Sequence, residues 1–171
     1  MTLSATETAD RLRGIRLLCL DVDGVLTDGH LYWSPDANGT GVWWQRFYVA
    51  DGYGLKLLQD AGIELCILSG GDVRSARDRA AHLGIKHAYF GLSDKLAVYR
   101  DVAGTLGIEP AATAFVGDEL IDIPLLQIAG FAATVPAAPA EVKAVAHYVT
   151  EHAGGVGAVR EIADLIRRHR G

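Results

Sequence analysis

Short apolar runs alternate with helical stretches along this chain, and that alternation constrains the fold more than any other feature. IRLLCL (15–20), IELCILS (63–69), TAFVG (113–117) and FAATV (131–135) are predominantly apolar and bounded by Gly, Asp or Pro. Runs this short, without a polar alternate face, predict strands buried on both sides. HAYF (87–90) and HYVT (147–150) are shorter and predict edge strands. Helical stretches fill the gaps. One runs from Asp51, read as its N-cap, to Gly62; others span Asp72 to Gly84, Ser93 to Gly107, Asp118 to Gly130, and Gly157 to His169. The βαβ order predicts an α/β fold, a doubly wound parallel sheet with helices on both faces. At 171 residues and 50% hydrophobic composition, one domain spanning 1–171 is expected.

One segment breaks the rhythm. Residues 29–50, GHLYWSPDANGTGVWWQRFYVA, hold two aromatic β-prone runs around SPDANGTG. Pro, Asp, Asn and Gly supply turn chemistry there, so a β-hairpin is expected, placed as a flap beside whatever precedes it. Trp33, Trp43 and Trp44 suit either stacking on a sugar ring or packing into a subunit interface.

The first 13 residues read as a short helix or a leader without the apolar core of a secretory signal, and no apolar run approaches a membrane span. A cytoplasmic location is the expectation. Cys19 and Cys66 have neither metal-ligand nor redox spacing and read as buried reduced thiols. The formal charge is −5, although residues 156–171 carry four arginines against Glu161 and Asp164. The remainder is therefore more acidic still, which argues against nucleic acid as the main partner.

The chemistry concentrates where the first strand ends. LLCLDVDGVLTDG places Asp21, Asp23 and Asp28 within eight residues. In an open parallel sheet, ligands gather beyond the carboxyl ends of the strands. Asp21, Ser69 and Asp118 each follow such an end, and Lys95 opens the helix after another. Clustered carboxylates become tolerable around a divalent cation, and oxygen-only ligands favour Mg²⁺ with a phosphate oxygen completing its shell. Asp21 and Asp118 are the candidate side-chain ligands. A carboxylate left free to attack phosphorus forms an aspartyl-phosphate. Asp23, two residues on and on the same side of an extended chain, is the candidate acid and base. Ser69 and Lys95 would hold the other phosphate oxygens, with Gly70 and Gly71 exposing amides at a helix start.

Taken singly, each feature has a plainer explanation. DVDG can be a turn or part of a calcium loop, Lys95 a surface lysine, and Ser69 or Asp118 a helix cap. The four together, in this order and at these strand ends, resemble the haloacid dehalogenase-like phosphohydrolases. DVDGVLTDG is similar to that family's first motif, with Asp21 as nucleophile and Asp23 as acid/base; Ser69, Lys95 and GDELID match the second, third and fourth. FYVADGYGLKLL, GLSDK, FVGDELIDIPLL and GGVGAVREIADLI further resemble the 3-deoxy-D-manno-octulosonate 8-phosphate phosphatase branch, from about Ile15 to Ile166. The resemblance implies a Rossmann-like domain without a separate cap and a homotetramer in which the hairpin helps close the site. It also implies one Mg²⁺ held by Asp21, the Asp23 carbonyl and Asp118. Substrate contacts would come from Gly70, Gly71, Arg74, Asp51 and Gly52, with Glu119 and Asp122 in support.

Three segments depart from the branch. Ser69-Gly70-Gly71 stands where Thr-Gly-Arg is usual, Val156 where Gly154-Gly155-Val156-Gly157 would usually carry Arg, and Glu119 where Asp is usual. Arg gives a bidentate grip on carboxylates that Gly and Val cannot. The expectation is a Mg²⁺-dependent phosphomonoesterase for a small phosphorylated sugar or sugar acid, with a preference shifted from the eight-carbon acid. The alternatives are a non-catalytic, tetramer-forming module of the same fold and a phosphotransferase or mutase.

Overall fold

The computed structural model describes residues 5–35 and 37–170. Its centre is a six-stranded sheet with every neighbouring pair parallel. The strands are β1 (Leu17–Leu20), β4 (Glu64–Leu68), β5 (His87–Tyr89), β6 (Thr113–Val116), β7 (Phe131–Thr134) and β8 (Tyr148–Val149). Their spatial order is β5-β4-β1-β6-β7-β8, so β1 is central and the order reverses direction beside it. The two short runs expected at the edges, β5 and β8, are the edges. β2 (Tyr32–Pro35) and β3 (Gly41–Trp44) form the separate antiparallel hairpin.

The period of two along a strand divides the core between the two faces of the sheet. Leu18 and Leu20 of β1 join one cluster; Leu17 and Cys19 join the other. The first cluster is covered by α1 (Ala5–Arg13), α2 (Val49–Asp60), α3 (Arg74–His82) and α7 (Ala158–Arg170), through Leu12, Leu55, Leu58, Ala76, Ala80 and Ile162. The second lies under α4 (Lys95–Leu106), α5 (Ile123–Leu126) and α6 (Ala140–Val145), through Tyr99, Val102, Leu125 and Val142. On α7, Val159, Ile162, Ala163 and Ile166 recur at helical spacing and are fully buried. Full burial of each of its larger side chains stabilises the fold by about 1.5–3 kcal/mol. Cys19 and Cys66 are both buried and unpaired. Among the described residues, no helix is long and apolar enough to cross a membrane.

Several helix boundaries differ from expectation for physical reasons. Asp51 is not the N-cap of α2: Tyr48 takes that position, and Asp51 lies in the first turn. Its Oδ1 instead accepts from the backbone N–H of Arg160 at 2.7 Å, capping α7 from a distant part of the chain. Ser93 precedes the cap of α4; Asp94 makes it, accepting from Ala97 N at 3.1 Å. The helix expected from 118 to 130 is broken into a 3-10 turn at Leu120–Asp122 and the single turn of α5. The Asp122 carboxylate accepts from the amides of Asp118 and Glu119, at 3.0 and 3.1 Å, which favours the tight turn over a continuous helix. Helix α6 was not anticipated from the sequence.

Candidate active site

Asp21 is the first residue after β1, Ser69 the first after β4, and Asp118 the second after β6. Parallel strands present these exits side by side, so residues far apart in sequence meet at one end of the sheet. They surround an open cavity of about 290 Å³. Asp21, Asp23, Gly70, Gly71, Lys95, Asp118 and Glu119 line it, together with Gly24, Gly29 and Ile121, which were not singled out from sequence.

Lys95 is the electrostatic centre. It is only 2% exposed, with its ammonium 2.9 Å from Asp21 Oδ1 and 2.7 Å from Asp122 Oδ1. Burial alone would push its pKa down, but the two carboxylates outweigh burial and raise it, so the lysine stays charged. Asp122, fully buried, also accepts from the Asp118 and Glu119 amides and anchors the lysine from beneath.

The carboxylates show the strain of being packed together. Burial pushes the Asp21 carboxyl up to about 6, against the pull of Lys95 and with a further push from Asp122. Asp118 is pushed up to about 8, first by burial and then by the charges of Asp21 and Asp122. Asp23 is raised by burial, with Lys95 and Gln45 pulling the other way. Asp118 Oδ1 is buried with no hydrogen-bond partner, and no donor is aligned with Asp21 Oδ1 despite the nearby ammonium. Carboxylate oxygens of Asp21, Asp118 and Asp122 can lie within 4.8 Å of one another. Asp122 is already held by Lys95 and two amides. The oxygens still in need of a cation are therefore those of Asp21 and Asp118, and a hard, oxygen-seeking divalent ion fits them.

Gly24 is what permits this approach. Its φ is 80°, a left-handed value that disfavours a side chain, and a Cβ there would run into the Asp118 carboxylate. The glycine loop near the C-terminus braces the same turn from behind, with Gly155 N donating to Val25 O at 3.1 Å.

Other predicted site residues stand back from the cavity surface. Ser69 is buried beside it, with its Oγ 3.7 Å from where a Cβ of Gly71 would stand; its amide donates to Tyr89 O and its carbonyl accepts from Leu92 N. Asp51 and Gly52 do not line it either: Asp51 is the buried cap of α7, and Gly52 packs against Arg79. The Arg74 side chain is 85% exposed and faces Asp78 at 3.6 Å, so it does not stand in for an arginine at position 71. Val156 opens on a different cavity of about 540 Å³ beside Tyr48 and Arg160. Gln45, immediately after β3, was missed. It is 5% exposed, and its Nε2 donates to Asp23 Oδ1. The only sequence signal was its place in the Gln45-Arg46 polar pair that interrupts an aromatic run at the hairpin base.

Known proteins agree with this geometry. A family model described as haloacid dehalogenase-like hydrolase matches residues 53–130. The 3-deoxy-D-manno-octulosonate 8-phosphate phosphatase KdsC of Yersinia pestis is 41% identical over 162 residues, 95% of this chain and 84% of that protein. The crystal structure of the corresponding phosphatase from Moraxella catarrhalis, in complex with magnesium ion, phosphate ion and KDO, superposes with a TM-score of 0.90 at 37% identity, covering 98% of this chain and 94% of that one. A cobalt-bound form of the Haemophilus influenzae phosphatase gives 0.86 at 39% identity, covering 94% and 92%. With that degree of identity spread across nearly the whole chain, and with the sheet, the strand-end carboxylates and the buried lysine in place, the chain belongs to the haloacid dehalogenase-like phosphatases, among the relatives of the 3-deoxy-D-manno-octulosonate 8-phosphate phosphatases.

Proposed function

We propose that this chain is a Mg²⁺-dependent phosphomonoesterase for a small phosphorylated sugar or sugar acid, acting through an aspartyl-phosphate on Asp21. The observation that carries the reading is the buried Asp21–Lys95–Asp122 arrangement with Asp118 Oδ1 left unpartnered at its edge. Asp21, Asp118 and the backbone carbonyl of Asp23 would hold the metal, which supplies charge neutralisation to the phosphate as attack proceeds. Asp21 Oδ attacks phosphorus and the bond to the sugar oxygen breaks. Asp23 gives that oxygen its proton. It then takes a proton from water, which attacks the acyl phosphate and releases Asp21 and inorganic phosphate. Lys95 keeps Asp21 ionised and in place, and the amides after Ser69 face the phosphate.

A thermal-shift experiment checks the metal reading without turnover. Both raised carboxyls stabilise the metal-free fold while protonated. That contribution is present below the unfolded value near 4 and is lost as pH rises through about 6 for Asp21 and about 8 for Asp118. Mg²⁺ replaces the missing protons. At one fixed concentration, about 100-fold above the Kd at pH 8.5, it should raise Tm by roughly 5–10 °C at about pH 8.5, and by much less at about pH 5.5. Equal shifts at both pH values would contradict the assignment.

Selectivity is the second part of the reading. Lys95 is the one cation among the described residues lining the cavity, and it is occupied by carboxylates. Position 71, where the branch usually has arginine, is Gly, and Arg74 faces away. A hydrogen bond to a charged group contributes about 1.5–3 kcal/mol, so losing one weakens binding of a sugar-acid carboxylate roughly ten- to a hundredfold. The expected result is that 3-deoxy-D-manno-octulosonate 8-phosphate is hydrolysed, yet at least one other phosphorylated sugar, nine-carbon acid or nucleoside has a higher kcat/KM at equal Mg²⁺. A clear win for the eight-carbon acid over a broad panel would overturn this part. A homotetramer belongs to the same reading. The exposure of Trp33, Trp43, Trp44 and Val42 on the hairpin supports it, since so much apolar surface is costly in water.

A further inference from the structure

The Asp23 carboxylate is held by a hydrogen-bond chain that runs from Gln45 at the hairpin base through Ser75. Gln45 N donates to Ser75 Oγ at 3.1 Å. The Ser75 hydroxyl, having accepted that bond, donates its own proton back to Gln45 Oε1 at 3.3 Å. With its oxygen so engaged, the Gln45 amide must turn its NH₂ outward, and Nε2 donates to Asp23 Oδ1. Asp23 Oδ1 is therefore an acceptor. Asp23 Oδ2 lies on the other side, against Gly71, where a Cβ would stand 2.6 Å from it, and both residues line the cavity. The chain joins three separate elements: the end of hairpin strand β3, the first turn of α3, and the loop after β1. The base of the hairpin is pinned to the same loop by the Thr27–Phe47 bridge.

We propose that Gln45 is a positioning residue for Asp23: it occupies Oδ1 as a fixed donor and reserves Oδ2, beside Gly71, as the oxygen that delivers and takes the proton. This rests on the reading of Asp23 as the acid and base. Gly71 has a part in the arrangement, because in this structure a Cβ there would stand 2.6 Å from Oδ2 and the carboxylate would have to shift. Gln45 and Gly71 thus meet the two oxygens of the same carboxylate.

The leaving group separates this from a merely structural role. A sugar alkoxide needs its proton as it departs, whereas p-nitrophenolate leaves without one. The measured quantity is the ratio of kcat/KM for 3-deoxy-D-manno-octulosonate 8-phosphate to kcat/KM for p-nitrophenyl phosphate, with Mg²⁺ present. This ratio does not depend on how much of a variant is folded. Asp23→Asn should lower it by roughly 10²-fold, the scale of lost acid assistance. Gln45→Leu should lower it in the same direction by roughly tenfold, since a misdirected acid keeps part of its effect. If Asp23→Asn shifts the ratio and Gln45→Leu leaves it at the wild-type value, the positioning role is wrong and the acid assignment stands. If Asp23→Asn itself leaves the ratio unchanged, the acid assignment is wrong and the role of Gln45 falls with it.

Discussion

Asp21→Asn should reduce turnover by at least about 10³-fold while leaving the protein folded, because it removes the carboxylate assigned to attack phosphorus, while Asp23 and Asp118 have other tasks in the proposed mechanism. Asn keeps the shape of the side chain and one oxygen. It also removes a charge that the fold holds at a cost, since burial already pushes the Asp21 carboxyl up to about 6. The metal-free variant should therefore melt at the same temperature as wild type or higher at neutral and alkaline pH. The Mg²⁺-induced rise in Tm should shrink, since one of the two side-chain oxygens in need of a cation has lost its charge. Loss of activity with loss of structure would be uninformative in many enzymes. Here the two are expected to move in opposite directions, and circular dichroism with thermal melting, run beside the kinetic assay, reads both. A folded Asp21→Asn protein with near-normal turnover would refute the nucleophile.

Lys95→Met should be the most destabilising single substitution at the site. The side chain is 2% exposed and bridges Asp21 and Asp122, the latter fully buried. Met fills the same volume but leaves two carboxylates facing each other without a cation. Removing one partner of a buried ionic arrangement costs about 3–5 kcal/mol. The cost depends on pH: in acid Asp21, already pushed up to about 6 by burial, takes up a proton, so the deficit should be largest near pH 8 and smaller near pH 5. Urea unfolding at both values measures it. Activity should fall by at least about 10²-fold, because Asp21 loses the charge that keeps it ionised and oriented. A deficit below about 1 kcal/mol at pH 8 would show that Lys95 is not the electrostatic centre of the site.

Where sequence alone was sufficient, the information was local. β1, β4, β6 and β7 were legible because a strand buried on both faces must be apolar at nearly every position, and Leu17–Leu20 meets that demand completely. The hairpin was legible because Pro35, Asn38 and Gly39 lie between two aromatic runs. Asp21, Lys95 and Asp118 could be brought together because strand exits in a parallel sheet are neighbours by construction. What escaped was long-range pairing of polar groups. Nothing around Asp51 says that it caps a helix more than a hundred residues away, and in isolation it reads as a cap for its own helix. Gln45 meets Ser75 and Asp23 only after the hairpin folds back. The break in the 118–130 helix arises from Asp122 accepting from two preceding amides, a competition that helix propensity does not register. Arg74 failed in the opposite way: its sequence position suggested the site, and its direction on α3 takes it to Asp78 in solvent.

The proposed reaction consists of two successive displacements at phosphorus, the first by Asp21 and the second by water. The stereochemical course of hydrolysis tests that most directly. A substrate whose phosphorus is made chiral with sulfur and oxygen isotopes is hydrolysed in isotopically labelled water with Mg²⁺, and the configuration of the released thiophosphate is determined. Each in-line displacement inverts phosphorus, so passage through an aspartyl-phosphate predicts overall retention. Overall inversion would mean that water attacks the substrate directly, and would contradict the assignment of Asp21 as nucleophile.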